Sequence, residues 1–167
     1  MRIARWADRA AQPWRNGGGI THELLREPAD GDFALRVSVA EVAADGPFSR
    51  FPGVDRVILL LEGNGFRLTG AREVTIREVA APFAFAGEDP WDCALLDGPV
   101  RDLNVMVDRA RWAAQVTVEA GEVDLGPRGL VIALQPMPPL ARWDVADAAG
   151  PVSLAAPAVV VRLRPRE

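Results

Sequence analysis

"DFALRVSVAEV", residues 32–42, is the stretch that decides the fold. In an extended chain, successive side chains alternate between two faces. Phe33, Leu35, Val37 and Val39 then lie on one face, and Ala34, Arg36, Ser38 and Ala40 on the other. The segment reads as a strand with one apolar face. Its second face carries a cation and a hydroxyl that need an explanation.

The same reading extends along the chain. "RVILLLEG" (56–63) is apolar on both faces, as in a strand covered from two sides. "REVTIREV" (72–79), "WDCALLDG" (91–98), "DLNVMVD" (102–108), "AAQVTVEA" (113–120), "GLVIALQP" (129–136) and "AAPAVVVRLRP" (155–165) read as further strands. "RIARWA" (2–7) and "ITHELLRE" (20–27) carry a weaker form of the pattern. "ADGPFSRFPGVD" (44–55), "EGNG" (62–65), "GEDP" (87–90) and "DGP" (97–99) mark loops and turns. Fourteen prolines disfavour long helices. The expected class is all-β, a sandwich or closed barrel of short strands. A strand–turn–strand order appears around "RVILLLEGNGFRLTG" and again around "GLVIALQPMPPLARW". That echo suggests two β halves, residues 1–110 and 111–167, changing over near Arg109–Trp112.

Composition narrows the chemistry. All 19 basic residues are arginine, with no Lys, no Tyr, one His and one Cys among 167 residues. Lacking Lys, the chain has no Schiff base and no P-loop lysine. His22 and Cys93 cannot alone make an ordinary His/Cys zinc site or a two-His-one-carboxylate iron site. Carboxylate chemistry, a hydroxyl or thiol acting with His22, and binding without catalysis are left. A net charge of -4 and the lack of a basic block argue against nucleic acid as a partner. No apolar run nears the ~18 residues of a membrane span, and none at the N-terminus resembles a signal peptide core. With a single cysteine, a cytoplasmic location is expected.

Six segments then fall into a recognisable order: "WRNGGGITHEL" (14–24), "RVSVAEV" (36–42), "GPFSRFPGVDR" (46–56), "LLLEGNGFRL" (59–68), "PFAFAGE" (82–88) and "LDGPVRDLNVM" (96–106). Together they resemble the HutD/Ves family of cupin-like proteins. The resemblance implies a cupin-like jelly-roll β-barrel with two fused halves, a bicupin. It also implies a cytoplasmic protein linked to histidine utilisation, one that binds a small anionic metabolite such as formylglutamate or urocanate and moderates the pathway. No firm enzymatic activity comes with the resemblance. Many cupins hold a metal on histidines. The segment that would carry them reads "FPGVDRVILLLEG" (51–63), so a metal-free pocket without a cofactor is expected. Whether the chain forms a homodimer stays open.

The Gly-rich "PWRNGGGITHELLREP" (13–28) is not a phosphate loop, because the segment behind its glycines is short and strand-like rather than a helix N-terminus. It is either a plain chain reversal or a place where backbone approaches a ligand, with Trp14 and Asn16 at the pocket edge. Arg36 and Ser38 either face solvent or line a lumen, where Arg36 and Arg56 would receive a carboxylate. Arg56 has the further option of pairing with Asp55 or Glu62. Asp102 and Asn104 point to one side together and could bond a ligand amide or imidazole. Thr21 and Glu23 share a face opposite His22, with Glu23 as a partner for a pocket arginine. Phe48 would add apolar wall. An alternative is a carboxylate-based isomerase or hydrolase of the same metabolites, with Glu23, Glu41 or Asp102 as general base. Ser49 reads as a turn residue and Cys93 as inert core.

Overall fold

The computed structural model describes residues 1–167. It has fifteen strands, no α-helix and one 3-10 turn at Trp6–Asp8. The strands are β1 (Arg2–Ala4), β2 (Ala10–Pro13), β3 (Gly19–Glu27), β4 (Leu35–Val42), β5 (Gly46–Pro47), β6 (Val54–Glu62), β7 (Phe66–Thr69) and β8 (Glu73–Ile76). They continue as β9 (Phe83–Ala86), β10 (Asp92–Leu95), β11 (Val100–Asp108), β12 (Trp112–Asp124), β13 (Gly129–Ala133), β14 (Val145–Ala148) and β15 (Pro151–Pro165). No helix is long and apolar enough to cross a membrane.

Three antiparallel sheets form. One of six strands has the order β2-β3-β4-β11-β6-β9, one of four has β5-β10-β7-β8, and one of five has β1-β14-β13-β15-β12. The six-stranded sheet is the middle layer. Leu35, Val37 and Val39 on β4, Leu59 and Leu61 on β6, and Leu103, Val105 and Val107 on β11 share one face. They pack against Leu130, Ile132, Val145, Val159, Val161 and Leu163 of the five-stranded sheet. The opposite face, with Ala40, Val42, Ile58 and Leu60, packs on Phe66, Leu68 and Cys93 of the four-stranded sheet. This double coverage is why "RVILLLEG" is apolar on both faces: alternate residues enter different cores. The far face of the five-stranded sheet builds a third core from residues such as Val123, Val131, Leu154 and Val160.

The closed-barrel part of the jelly-roll expectation needs correction. The sheets remain open, with β2 and β9, β5 and β8, and β1 and β12 as their edges, so no closed barrel forms. A middle sheet with apolar residues on both faces needs a layer on each side, and stacking supplies that without closure. The division near residue 110 coincides with the turn between β11 and β12. However, β1 joins the five-stranded sheet through β14, with Ile3 opposite Ala146. That sheet therefore takes strands from both ends of the chain.

Some local readings shift as well. Phe33 lies ahead of β4, its ring 6.1 Å from Phe51, rather than on the core face with Leu35. "REVTIREV" is strand only over Glu73–Ile76. "RIARWA" is strand only over Arg2–Ala4 before it turns.

Leu103 is fully buried between the six- and five-stranded sheets. Leu103→Ala is expected to lower unfolding free energy by ~2–5 kcal/mol, measured by urea denaturation.

Candidate functional site

The polar residues of the middle sheet come together in rows set by strand register. Thr21, Ala40 and Asp102 form one row, and Glu23, Ser38 and Asn104 the next. In a third row, Met106 lies between Arg36 and Arg56. All point away from the core shared with the five-stranded sheet. The β2–β3 loop and the segment Pro47–Phe51 complete a cavity of about 380 Å³ over these rows. Trp14, Asn16, Thr21, Arg36, Ser38, Phe48, Arg56, Asp102 and Asn104 all line it. Glu23 does not line it but accepts a hydrogen bond from Arg36 Nε at 2.9 Å.

Arg56 is the most constrained member. It is 94% buried, at 6% exposure. Its Nη2 donates to Asn104 Oδ1 at 2.8 Å and its Nη1 to the Ser49 carbonyl at 3.1 Å, while Nε has no partner. The rings of Phe85, Phe51 and Phe48 lie 4.9, 5.3 and 5.5 Å from the guanidinium carbon. Asp55 and Glu62, the alternative partners, are engaged elsewhere, Asp55 by Arg109 and Glu62 by Arg142. Burial pulls the Arg56 guanidinium down to about 10, with Asp102 opposing that shift and Arg36 adding to it. It remains a cation at neutral pH.

Asn104 links this cation to an acid. Its Nδ2 donates to Asp102 Oδ1 at 2.6 Å while its Oδ1 accepts from Arg56, and this pattern fixes the orientation of the amide. Asp102 is 1% exposed. Burial pushes its carboxyl up to about 7, against the opposing effects of Arg56 and the Asn104 hydrogen bond. The cavity thus holds three arginines, Arg15, Arg36 and Arg56, beside a carboxyl whose pKa burial raises.

The Gly-rich loop makes a tight reversal. Gly17 has a φ of +72°, and its N–H donates to the Trp14 carbonyl at 3.1 Å. Asn16 Oδ1 accepts from Gly18 N at 2.8 Å, and Trp14 Nε1 donates to Thr21 Oγ1 at 2.8 Å. At Gly19 a Cβ would stand 2.5 Å from the Glu41 carbonyl oxygen and 2.9 Å from the Trp14 ring. The glycine therefore lets the Trp14 ring approach the backbone closely as a cavity wall.

His22 and Glu41 are not in the cavity. They lie on the other face of the sheet, where His22 Nε2 bonds Glu41 Oε2 at 2.7 Å and Arg9 Nε donates to His22 Nδ1 at 3.1 Å. Arg101 also donates to Glu41, at 2.8 Å from its Nε. Cys93 is core, and burial pushes its thiol up to about 12. The cavity donors do not suit a metal ion. Three guanidiniums line it beside its single buried carboxyl, the one imidazole points away, and no three His, Cys, Asp or Glu side chains converge anywhere. Sequence reasoning missed Gln12, Arg15, Phe51 and Met106 as cavity residues. Arg15 adjoins the Trp14–Asn16 pair, and Met106 continues the alternation of Asp102 and Asn104, so both were within reach. Gln12, in the weakly patterned "AAQP", gave no signal.

Stacked antiparallel sheets around a cation-lined hollow define an all-β protein with a small-molecule-sized polar cavity. Residues 6–128 match the HutD family profile, and the chain belongs to that family. It is 42% identical over 123 residues to Protein Ves of Citrobacter koseri, and 37% identical over 120 residues to an uncharacterised 21.2 kDa protein from the region 3′ of hutC in Pseudomonas putida. Those matches cover 71% and 70% of this chain, and 64% and 63% of the respective relatives. The family is thereby associated with the histidine-utilisation locus. The chain is also similar to HutD from Pseudomonas fluorescens SBW25, with a TM-score of 0.87, 28% identity and 99% coverage of both chains.

Because folding raises the Asp102 pKa from 3.8 to about 7, its contribution to stability is complete below pH 4 and is lost as pH rises through 7. Asp102→Asn removes that dependence. Relative to the variant, the parent is expected to lose stability between pH 4 and pH 8, read from denaturation midpoints across the range.

Proposed function

We propose that the chain is a metal-free binding protein for a small anionic metabolite of histidine utilisation, such as formylglutamate or urocanate, and that it moderates the pathway by sensing that metabolite. The observation that carries this reading is Arg56, a cation at the cavity wall that is 94% buried and has no carboxylate partner within the chain. A buried cation of this kind costs free energy until a counter-charge compensates it. A ligand carboxylate is a suitable acceptor, with Arg36 in the same row as a second cationic group. Trp14 and Phe48 offer apolar wall. Asp102 is placed to accept from a ligand N–H when ionised, and Thr21 and Ser38 add hydroxyls. Both ends of the Asn104 amide are engaged, so its part is to hold Arg56 and Asp102 in position.

Calorimetric titration with formylglutamate, urocanate and glutamate tests the proposal. Heat of binding is expected with at least one of them. Arg56→Ala should weaken that binding by at least ~30-fold, the lower end of the ~2–5 kcal/mol cost of removing one partner of a buried charged contact. Absence of heat with all three, in protein shown to be folded, would sink the reading.

One observation favours the enzymatic alternative. Asp102, with its carboxyl near 7, is the only one of the three proposed general bases in the cavity, since Glu23 is tied to Arg36 and Glu41 lies on the opposite face. That reading requires turnover, abolished in Asp102→Asn; recovery of intact metabolite after prolonged incubation rejects it.

A further inference from the structure

β12 is an edge strand of the five-stranded sheet, and its outer side is unpaired along thirteen residues. The direction of its backbone groups is fixed. Arg166 N donates to the Arg111 carbonyl at 2.8 Å, and the register from Trp112 opposite Pro165 to Glu119 opposite Ala158 runs without a shift. Bonded positions alternate along an antiparallel pair. Arg111, Ala113, Gln115, Thr117 and Glu119 therefore turn their N–H and C=O groups toward β15, while Trp112, Ala114, Val116 and Val118 turn theirs outward. Such an edge is a template for another strand unless charge, proline or a covering segment guards it. "WAAQVTV", residues 112–118, contains no charge and no proline. Val118 is one of the four large hydrophobic residues left exposed.

The flanking charges indicate the partner. Arg111 and Glu119 close the uncharged run on either side, equally distant from Gln115. A second copy paired antiparallel about a two-fold axis at Gln115 would set Ala114 opposite Val116, Trp112 opposite Val118, and Arg111 opposite Glu119, each twice. The first two pairs exchange backbone hydrogen bonds. The third is a non-bonded pair, where opposed side chains approach most closely. Arg111 is available, with its side chain 65% exposed and its contact to Asp108 at 3.4 Å. Glu119 pairs with Arg162 at 2.5 Å on the same outer face, so its carboxylate would lie between Arg162 and the incoming Arg111. A register centred on Val116 instead would set Arg111 against Gly121 and lose the charge match. We propose that two copies of this chain dimerise through β12, centred on Gln115, and join their five-stranded sheets edge to edge.

Sedimentation velocity at micromolar concentration reads the outcome. The parent is expected to be a dimer, and Arg111→Glu or Glu119→Arg alone to be monomeric. Mixing those two variants recreates opposite charges at both contacts, so the mixture should regain the dimer. Val116→Pro, which removes an N–H that bonds nothing within the chain, should also give a folded monomer by circular dichroism. A monomeric parent would overturn the proposal, as would a dimer insensitive to Val116→Pro or a charge-variant mixture that stays monomeric.

Discussion

The cavity depends on one guanidinium kept out of water. Arg56 is held by a side-chain amide, a main-chain carbonyl and three aromatic rings, with no carboxylate in direct contact. A cation in that setting is poorly compensated, as its lowered pKa indicates. Its neighbours are arranged around it. Asn104 must present its oxygen to Arg56, so its nitrogen turns to Asp102. Asp102, in turn, is buried too deeply to ionise readily. Stability and recognition therefore oppose one another here, a usual condition for a binding site.

The two faces of the middle sheet do different work with the same strands. On β4, Leu35, Val37 and Val39 serve one core while Arg36 and Ser38 serve the cavity. On β3, Thr21 faces the cavity and His22 joins Glu41 on the opposite face. There Arg9, Arg101, Trp6 and Trp143 gather round that pair, with the Trp6 ring 5.1 Å from His22 and 4.9 Å from Trp143. This knot fastens the N-terminal segment to the sheet just ahead of β2, whose residues Gln12 and Pro13 are cavity wall.

Period-two alternation makes most of this legible in the sequence. It assigns Arg36 with Ser38, and Asp102 with Asn104, to common faces without knowledge of any contact. Alternation cannot say which of two faces is enclosed, because that depends on strands distant in the chain. Nor can it show closure: open and closed sheets share one pattern, and only register separates them. Short strands such as β2, β5 and β14 are hidden because two to four residues carry too little pattern. Arg56 is visible as a charge opening an apolar strand, but its missing Nε partner is a property of packing alone.

The pairing of β1 with β14 bears on how the molecule is made. During synthesis β1 finds no mate until the long stretch of chain up to β14 has emerged after it. Closing so long a loop is entropically expensive, and contacts of that separation slow the search for the native state. The five-stranded sheet is thus the last layer to be completed, and a nascent chain must carry an unsatisfied β1 edge until then.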